Sequence, residues 1–274
     1  MMAAEMRTLV HISDLHFGRI HPEILSPLLG FIQEIQPALV AVSGDLTQRA
    51  RTHEFTAARE FLQQIPFPQI VVPGNHDVPL HNPFARFVRK LDRYQRYITD
   101  DLQPFFSDEE IAVVGVNTAR ALTWKDGRIN KRQLAQLRAS LQPLGSDRIK
   151  IVVTHHPFDL PAGAAGKVVG RSRLAIKTIA ECGVDLLLAG HFHIAHTGQT
   201  AKRYNIPGYS GLVVSSGTST STRQRGQPNS LNVILIDQPY LTIERHVWHP
   251  VDGLFRVHST ERFQQENGAW IRRE

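Results

Sequence analysis

Five short stretches of the chain carry residue types that bind hard or borderline metal ions. They are Ser13-Asp14-Leu15-His16, Ser43-Gly44-Asp45, Pro73-Gly74-Asn75-His76-Asp77, Thr154-His155-His156-Pro157 and Gly190-His191-Phe192-His193. Asp14 and His16 are two apart, as are His191 and His193, so in extended chain each pair points to one face and can reach a common centre. Carboxylate oxygen, imidazole nitrogen and one amide oxygen suit manganese, iron or zinc. The single cysteine, Cys182, excludes a thiolate cluster and an internal disulfide. Two divalent ions about 3.5–4 Å apart would straddle a phosphate and convert a shared water to hydroxide at neutral pH. A carboxylate common to both ions is expected, and Asp45 is the candidate. Each motif alone is weak, since Gly-Asp occurs in many turns and a lone Asp-x-His is more often a surface pair; their joint occurrence in order is hard to obtain by chance.

The elements that must position these residues are legible from hydrophobic period. Short β-rich runs at 8–13, 38–43, 69–72, 111–116, 149–153 and 185–189 alternate with helical patterns at 22–35, 52–64, 83–98, 130–141 and 171–181. The metal-binding residue types fall at the carboxyl ends of the strands, where open α/β sheets place their sites. Glycines before Asp45, Asn75 and His191 are read as sharp turns that aim the next side chain back over the strand ends. After Gly190 the texture changes to strands at 212–216, 231–237 and 242–248 broken by Gly, Pro, Asn and Ser, which predicts a second, mainly antiparallel sheet. Residues 260–274 carry no legible motif. No repeat or linker marks a boundary, so the reading is one domain over 1–274, with the motifs in 8–195 and the mainly β part in 196–274.

The chain has 274 residues, 42% hydrophobic and 20% charged, as expected of an ordinary globular protein. No apolar run approaches the length of a spanning helix and the start lacks a secretory core, so a cytoplasmic location is expected. A net charge of +6 attracts anions in general without choosing among nucleic acid, phosphorylated small molecules and acidic membrane surfaces. Arg86, Arg89, Lys90, Arg93 and Arg96 would form a basic stripe, but Phe84, Phe87, Leu91 and Tyr94 make that segment an amphipathic helix with a solvated charged side. His156 is expected to face away from His155, as strand neighbours do, and to be a buried or supporting histidine rather than a ligand. His21, His81 and His196 read as surface histidines, and Arg223 and Arg225 as basic residues to test for substrate contact.

With these blocks in hand, the chain resembles the calcineurin-like metallophosphoesterase superfamily, whose ordered pattern is Asp-x-His, Gly-Asp, Gly-Asn-His-Asp/Glu, a lone His and Gly-His-x-His. Within it, Ser13-Asp14-Leu15-His16-Phe17-Gly18, Gly74 to Asp77, Asn117 with Gly127, Gln133-Leu134 and His155-His156-Pro157 are most similar to bacterial class III cyclic-nucleotide phosphodiesterases. The resemblance implies an α/β fold: a four-layer αββα sandwich of two mixed β-sheets flanked by helices. It also implies Asp14, His16, Asp45 and His193 as ligands of one metal, and Asp45, Asn75, His155 and His191 as ligands of the other. His76 would contact the phosphoryl group and protonate the leaving oxygen, with Asp77 orienting its ring. Phosphoprotein phosphatases of the superfamily read Gly-Asp-x-x-Asp-Arg-Gly where this chain has Gln48 and Ala50, and Glu where it has Asp77, which argues against Ser/Thr phosphatase activity.

The expected function is hydrolysis of small phosphodiesters, with 3′,5′-cyclic nucleotides such as cAMP as the substrate implied. The alternatives are a nuclease-like enzyme or a hydrolase of nucleotide or lipid-linked pyrophosphates, and, from another class, a non-catalytic scaffold that retains the fold. The length leaves little room for a nucleic-acid-binding addition, and scaffolds lose ligands whereas all seven are present. Oligomeric state is left open, homo-oligomers included.

Overall fold

A computed structural model describes residues 6–79, 91–120, 126–161 and 166–273. Its strands fall into two sheets whose parallel portions carry all five motifs. In the first, β1 (Arg7–Ile12), β2 (Leu39–Val42) and β3 (Gln69–Val71) run parallel. Its remainder is antiparallel: β10 (Ser230–Asp237), β11 (Tyr240–His249), β12 (Leu254–Glu266) and β13 (Ala269–Arg273), in the order β13-β12-β11-β10-β1-β2-β3. The second sheet has the order β4-β5-β6-β7-β9-β8. In it β5 (Ile111–Gly115), β6 (Ile149–Val153), β7 (Leu186–Ala189) and β9 (Leu212–Ser215) are parallel, between antiparallel edges β4 (Phe105–Ser107) and β8 (His196–Gln199).

Three buried layers hold the sandwich together. Leu9, Leu39 and Ile70 of the first sheet meet Val113, Ile151 and Leu188 of the second and fill the space between them. Outside the first sheet, α1 (Pro22–Ile35), α2 (Thr52–Leu62) and α3 (Asp92–Tyr97) bury Ile24, Leu28, Phe55 and Tyr94 against Val10 and Val40. Outside the second, α4 (Lys131–Leu141) and α5 (Ser172–Glu181) bury Leu134, Leu137, Ile176 and Ile179 against Val114 and Val152. The architecture is therefore the expected four-layer αββα sandwich of two mixed sheets.

Local sequence explains the helices. Ile24, Leu28 and Ile32 recur every four residues along α1, behind a proline at its first turn. For α4 the Asn130 side chain accepts from the Gln133 backbone N–H at 2.9 Å while Gln133 returns the bond to Asn130 N–H at 3.0 Å, a capping box.

One expectation is corrected. The strands after Gly190 do not make a sheet of their own: β8 and β9 join the second sheet, and β10 to β13 extend the first. Each motif-bearing half leaves a strand edge open; β10 covers that of β1 in antiparallel pairing and β9 that of β7 in parallel pairing, which satisfies their backbone groups. The silent tail is also strand, β12 and β13. Only Phe255 and Phe263 of β12 are buried, so its period of two does not show in the sequence. Of the helix expected at 83–98, α3 covers 92–97; Phe84, Arg86, Phe87, Arg89 and Lys90 lie outside the described residues, as does His81. Among the described residues no helix is long and apolar enough to cross a membrane.

Candidate metal centre

The carboxyl ends of β1, β2, β3, β6 and β7 converge on one point, and each delivers its motif just beyond the end of its ladder. Asp14, His16, Asp45, His191 and His193 all have positive φ, at 52°, 51°, 52°, 79° and 57°. Side chains with a Cβ rarely occupy this region, and residues held there cluster at functional sites. The left-handed turn is what swings the side chain back across the strand end. That role was expected of the preceding glycines. Of these, Gly44 has φ 86°, whereas Gly74 and Gly190 serve close approach: a Cβ on Gly190 would collide with Ser13 Oγ and Asp14 Oδ2, and one on Gly74 with Asp45 Oδ1.

Both carboxylates divide their oxygens between frame and centre. Ser13 Oγ donates to Asp14 Oδ2 at 2.6 Å and His191 N–H to the same oxygen at 3.0 Å, leaving Asp14 Oδ1 facing inward. His76 N–H donates to Asp45 Oδ1 at 2.8 Å, leaving Asp45 Oδ2. Three histidines are held by their far nitrogens. Nδ1 of His16 donates to the Thr47 carbonyl (3.3 Å), that of His155 to Ser43 (2.8 Å) and that of His193 to Arg223 (2.6 Å). A proton on Nδ1 leaves the Nε2 lone pair turned inward, the arrangement a metal-binding imidazole requires.

Acceptors therefore face acceptors. His16 Nε2 and His193 Nε2 are 3.1 Å apart, with Asp14 Oδ1 at 3.7 Å and 3.2 Å from them. Asp14 Oδ1 is buried and makes no aligned hydrogen bond among the described residues. His155 Nε2 lies 3.2 Å from Asn75 Oδ1 and 3.3 Å from His191 Nδ1. Asp45 Oδ2 stands between the two groups, 3.8 Å from His16 Nε2 and 3.3 Å from His155 Nε2. Such crowding of buried lone pairs is stable only with cations among them, and the hard or borderline donor set fits divalent ions.

The electrostatics agree. Burial works against ionising Asp14 and Asp45, yet the surrounding imidazoles hold both carboxyls well below the usual range. Burial pushes His16 down to about 4 and His191 to about 3. For His155 burial also works downward, but the charge and hydrogen bond of Asp45 outweigh it and raise the ring to about 9. The centre draws positive charge, from protons where metals do not supply it.

The remaining expectations meet mixed outcomes. Asp77 does not orient His76: its carboxylate accepts from Leu46 N–H (3.2 Å), Thr47 N–H (2.9 Å), Thr47 Oγ1 (2.9 Å) and Gly74 N–H (2.8 Å), which ties the second motif to the third. His76 Nδ1 donates instead to the Gln48 carbonyl at 2.8 Å, and its Nε2 accepts from Arg223 at 2.8 Å. His156 does not point away, because it lies beyond the end of β6; its ring sits 4.6 Å from that of His191 and is held at Nδ1 by Thr118 Oγ1 at 2.7 Å. A ring nitrogen of His156 lies within 4.8 Å of those of His155 and His191. His196 pairs with Asp159 at 3.6 Å and His21 with Glu23 at 3.1 Å. Arg225 is exposed.

One contributor had no reading in the sequence. Seven of the eight residues from 215 to 222 carry hydroxyls. Thr218 Oγ1 donates to the Asp14 carbonyl and Thr220 Oγ1 to that of Leu15, both at 2.7 Å, clamping the first motif from behind. The density of Ser and Thr was the available signal.

The sequence matches a family model described as calcineurin-like phosphoesterase over residues 7–195. A glycerophosphodiester phosphodiesterase GpdQ of Enterobacter lignolyticus is 31% identical over 179 residues, covering 57% of this chain and 59% of that protein. A probable GpdQ of Arcobacter nitrofigilis is 23% identical over 167 residues, covering 59% of each. The chain thus spans somewhat over half the length of these relatives. Among solved structures, a purple acid phosphatase from yellow lupin seeds superposes with a TM-score of 0.70 at 14% identity, covering 93% of this chain and 53% of that one. GAP50 of Plasmodium gives 0.61 at 12% identity, covering 95% and 89%. These likenesses are of fold.

Proposed function

Because the chain belongs to the calcineurin-like phosphoesterase family, we propose that it is a dinuclear metal-dependent phosphodiesterase acting on small phosphodiesters. The observation that carries this is the position of Asp45 Oδ2, within 3.8 Å of the inward nitrogens of both His16 and His155, so that one carboxylate joins two donor groups. Asp14, His16 and His193 complete the first group; Asn75, His155 and His191 complete the second. Divalent ions held there, manganese, iron or zinc, supply positive charge against the phosphoryl oxygens and an activated water.

The chain's own residues do the rest. Main-chain carbonyls of Ser43, Thr47 and Arg223 fix three imidazoles in the ligating tautomer. Ser13 and the His76 N–H fix the carboxylates. His76 stands at the rim with its ring edge-on to His16 at 4.9 Å, where it would face a phosphoryl group bound at the centre. Nδ1 is engaged by Gln48, so to give a proton to the leaving oxygen His76 must first take one up at Nε2, the nitrogen that accepts from Arg223 in this structure.

For the substrate, the motif resemblance favours 3′,5′-cyclic nucleotides and the curated relatives favour glycerophosphodiesters. Both are small diesters of a secondary or primary alcohol. A cytoplasmic location fits a chain whose one cysteine is buried and free. The scaffold reading is disfavoured because all seven candidates are present and five of them, Asp14, His16, Asp45, His191 and His193, sit at positive φ.

The test is hydrolysis of cAMP, glycerophosphocholine and bis(p-nitrophenyl) phosphate by metal-reconstituted protein, with Asp45→Ala as control. Turnover of the model diester and of one natural diester, lost in the variant, is expected. No turnover with any of the three metals would overturn the assignment.

A further inference from the structure

Arg223 stands out among the cationic side chains near the centre. Its main chain and its side chain serve opposite walls: the carbonyl accepts from His193 Nδ1 at 2.6 Å, and the guanidinium donates to His76 Nε2 at 2.8 Å. The segment that presents it is tied down at each step. His21 N–H donates to the Thr220 carbonyl at 2.8 Å, Thr222 N–H and Ser221 Oγ to the Arg19 carbonyl at 3.1 Å and 3.0 Å, and Arg223 N–H to Ser221 Oγ at 3.1 Å. Asn229 Nδ2 donates to the Ser221 carbonyl at 2.9 Å from beneath. The neighbouring arginines differ: Arg19 is exposed and its Nε is engaged by Thr222 Oγ1 at 3.3 Å, and Arg225 is exposed.

We propose that the guanidinium of Arg223 binds a non-bridging phosphoryl oxygen of the substrate, using His76 Nε2 as its resting partner. This deepens the phosphodiesterase reading and rests on it. A half-buried guanidinium offers several donors in a planar fork, and one bond to an imidazole uses one of them. A phosphate oxygen is the stronger acceptor, and its bond to arginine is charge-assisted. His76 is edge-on to His16 at 4.9 Å, so a group bonded to His76 Nε2 lies beside the first donor group, where an oxygen of a phosphate at the centre would project. The tied backbone keeps the ordering cost of this contact low. When the guanidinium moves onto the oxygen, Nε2 of His76 is released toward the substrate.

The experiment is calorimetric binding of inorganic phosphate to manganese-loaded protein, for the native chain, Arg223→Ala, Arg223→Lys and Arg225→Ala, each with its metal content measured. Arg223→Ala should bind phosphate about tenfold to hundredfold more weakly at unchanged metal content, the loss expected for one charge-assisted bond. Arg223→Lys should recover part of the loss, and free guanidinium ion should partly rescue Arg223→Ala, which a purely structural role would not allow. Arg225→Ala should match the native chain. Unchanged phosphate affinity in Arg223→Ala, or a loss accompanied by loss of metal, would overturn the proposal. Phosphate binding is read without turnover, so a native chain that binds phosphate but hydrolyses no diester would sink the functional reading and leave Arg223 to be judged on its own.

Discussion

Asp14 and Asp45 show the same economy: one oxygen is anchored to the protein and the other is left for the centre. Asp45 differs in facing both donor groups, so its replacement should disturb both. Asp45→Ala is expected to lose most bound metal, whereas His76→Ala should retain the metal and lose about 10²–10⁴-fold in kcat. Metal analysis of the two purified variants, alongside kcat, separates these outcomes; equal metal content in both would contradict the shared role of Asp45. The five motifs were legible because metal-binding chemistry restricts them to a few residue types at strand ends, while the choice of the seven ligand candidates within them came from the family resemblance. What Asp77 does was not, because a carboxylate beside a histidine reads the same whether it bonds the ring or three backbone N–H groups. Arg223 was visible only as a basic residue in a polar loop. Its contact with His76 spans 147 residues of chain and exists only in the fold.

At the level of elements, the strand ends do the positioning, and their geometry is unforgiving. Gly190 has no room for a Cβ between Ser13 and Asp14. Gly190→Ala should therefore destabilise by about 1–3 kcal/mol, as overpacking does, and weaken metal binding through the displaced Asp14. Denaturant midpoints and metal titration check both parts. The C-terminal arm offers a contrast, because it carries none of the motifs, and Trp270 is one of the residues that tie it to the second sheet. Trp270 of β13 is 1% exposed and donates from Nε1 to Asp185 at 3.0 Å. Trp270→Ala should cost about 3–5 kcal/mol, a large share of ordinary stability, while the folded fraction keeps its metal content. The parallel strands were readable as short apolar runs, since most are buried on both faces, and four of the helices from their period, since each buries one face. The arm was not, because β12 buries so little of either face, and no local signal distinguishes a new sheet from an extension of an old one.

For the molecule as a whole, two mixed sheets meet at one end, and folding there buries polar groups that must stay in one protonation state. His11, which is not among the ligand candidates, is fully buried between Ser43 Oγ at 2.9 Å and Asn232 Nδ2 at 3.4 Å. Burial lowers its pKa from 6.5 to about 3. The unfolded chain therefore binds a proton that the folded chain refuses between those values. Stability from this source is complete above 6.5 and falls as pH drops toward 3, by about 1.4 kcal/mol per pH unit for one proton. Urea midpoints of metal-free protein at neutral and mildly acid pH should show this slope, and His11→Gln should flatten it by about one proton while the ligand histidines titrate as before. An unchanged slope in the variant would contradict the assignment. The net charge of +6 adds general attraction for anionic substrates, but the selection of a phosphodiester rests on the centre.

The most direct test of that centre is a manganese titration of metal-free protein in which equivalents bound and hydrolysis of bis(p-nitrophenyl) phosphate are followed together. Hydrolysis should saturate at two equivalents per chain in the native protein and be abolished in Asp45→Ala. Saturation at one equivalent, or turnover that survives the loss of Asp45, would contradict a dinuclear site bridged by that carboxylate.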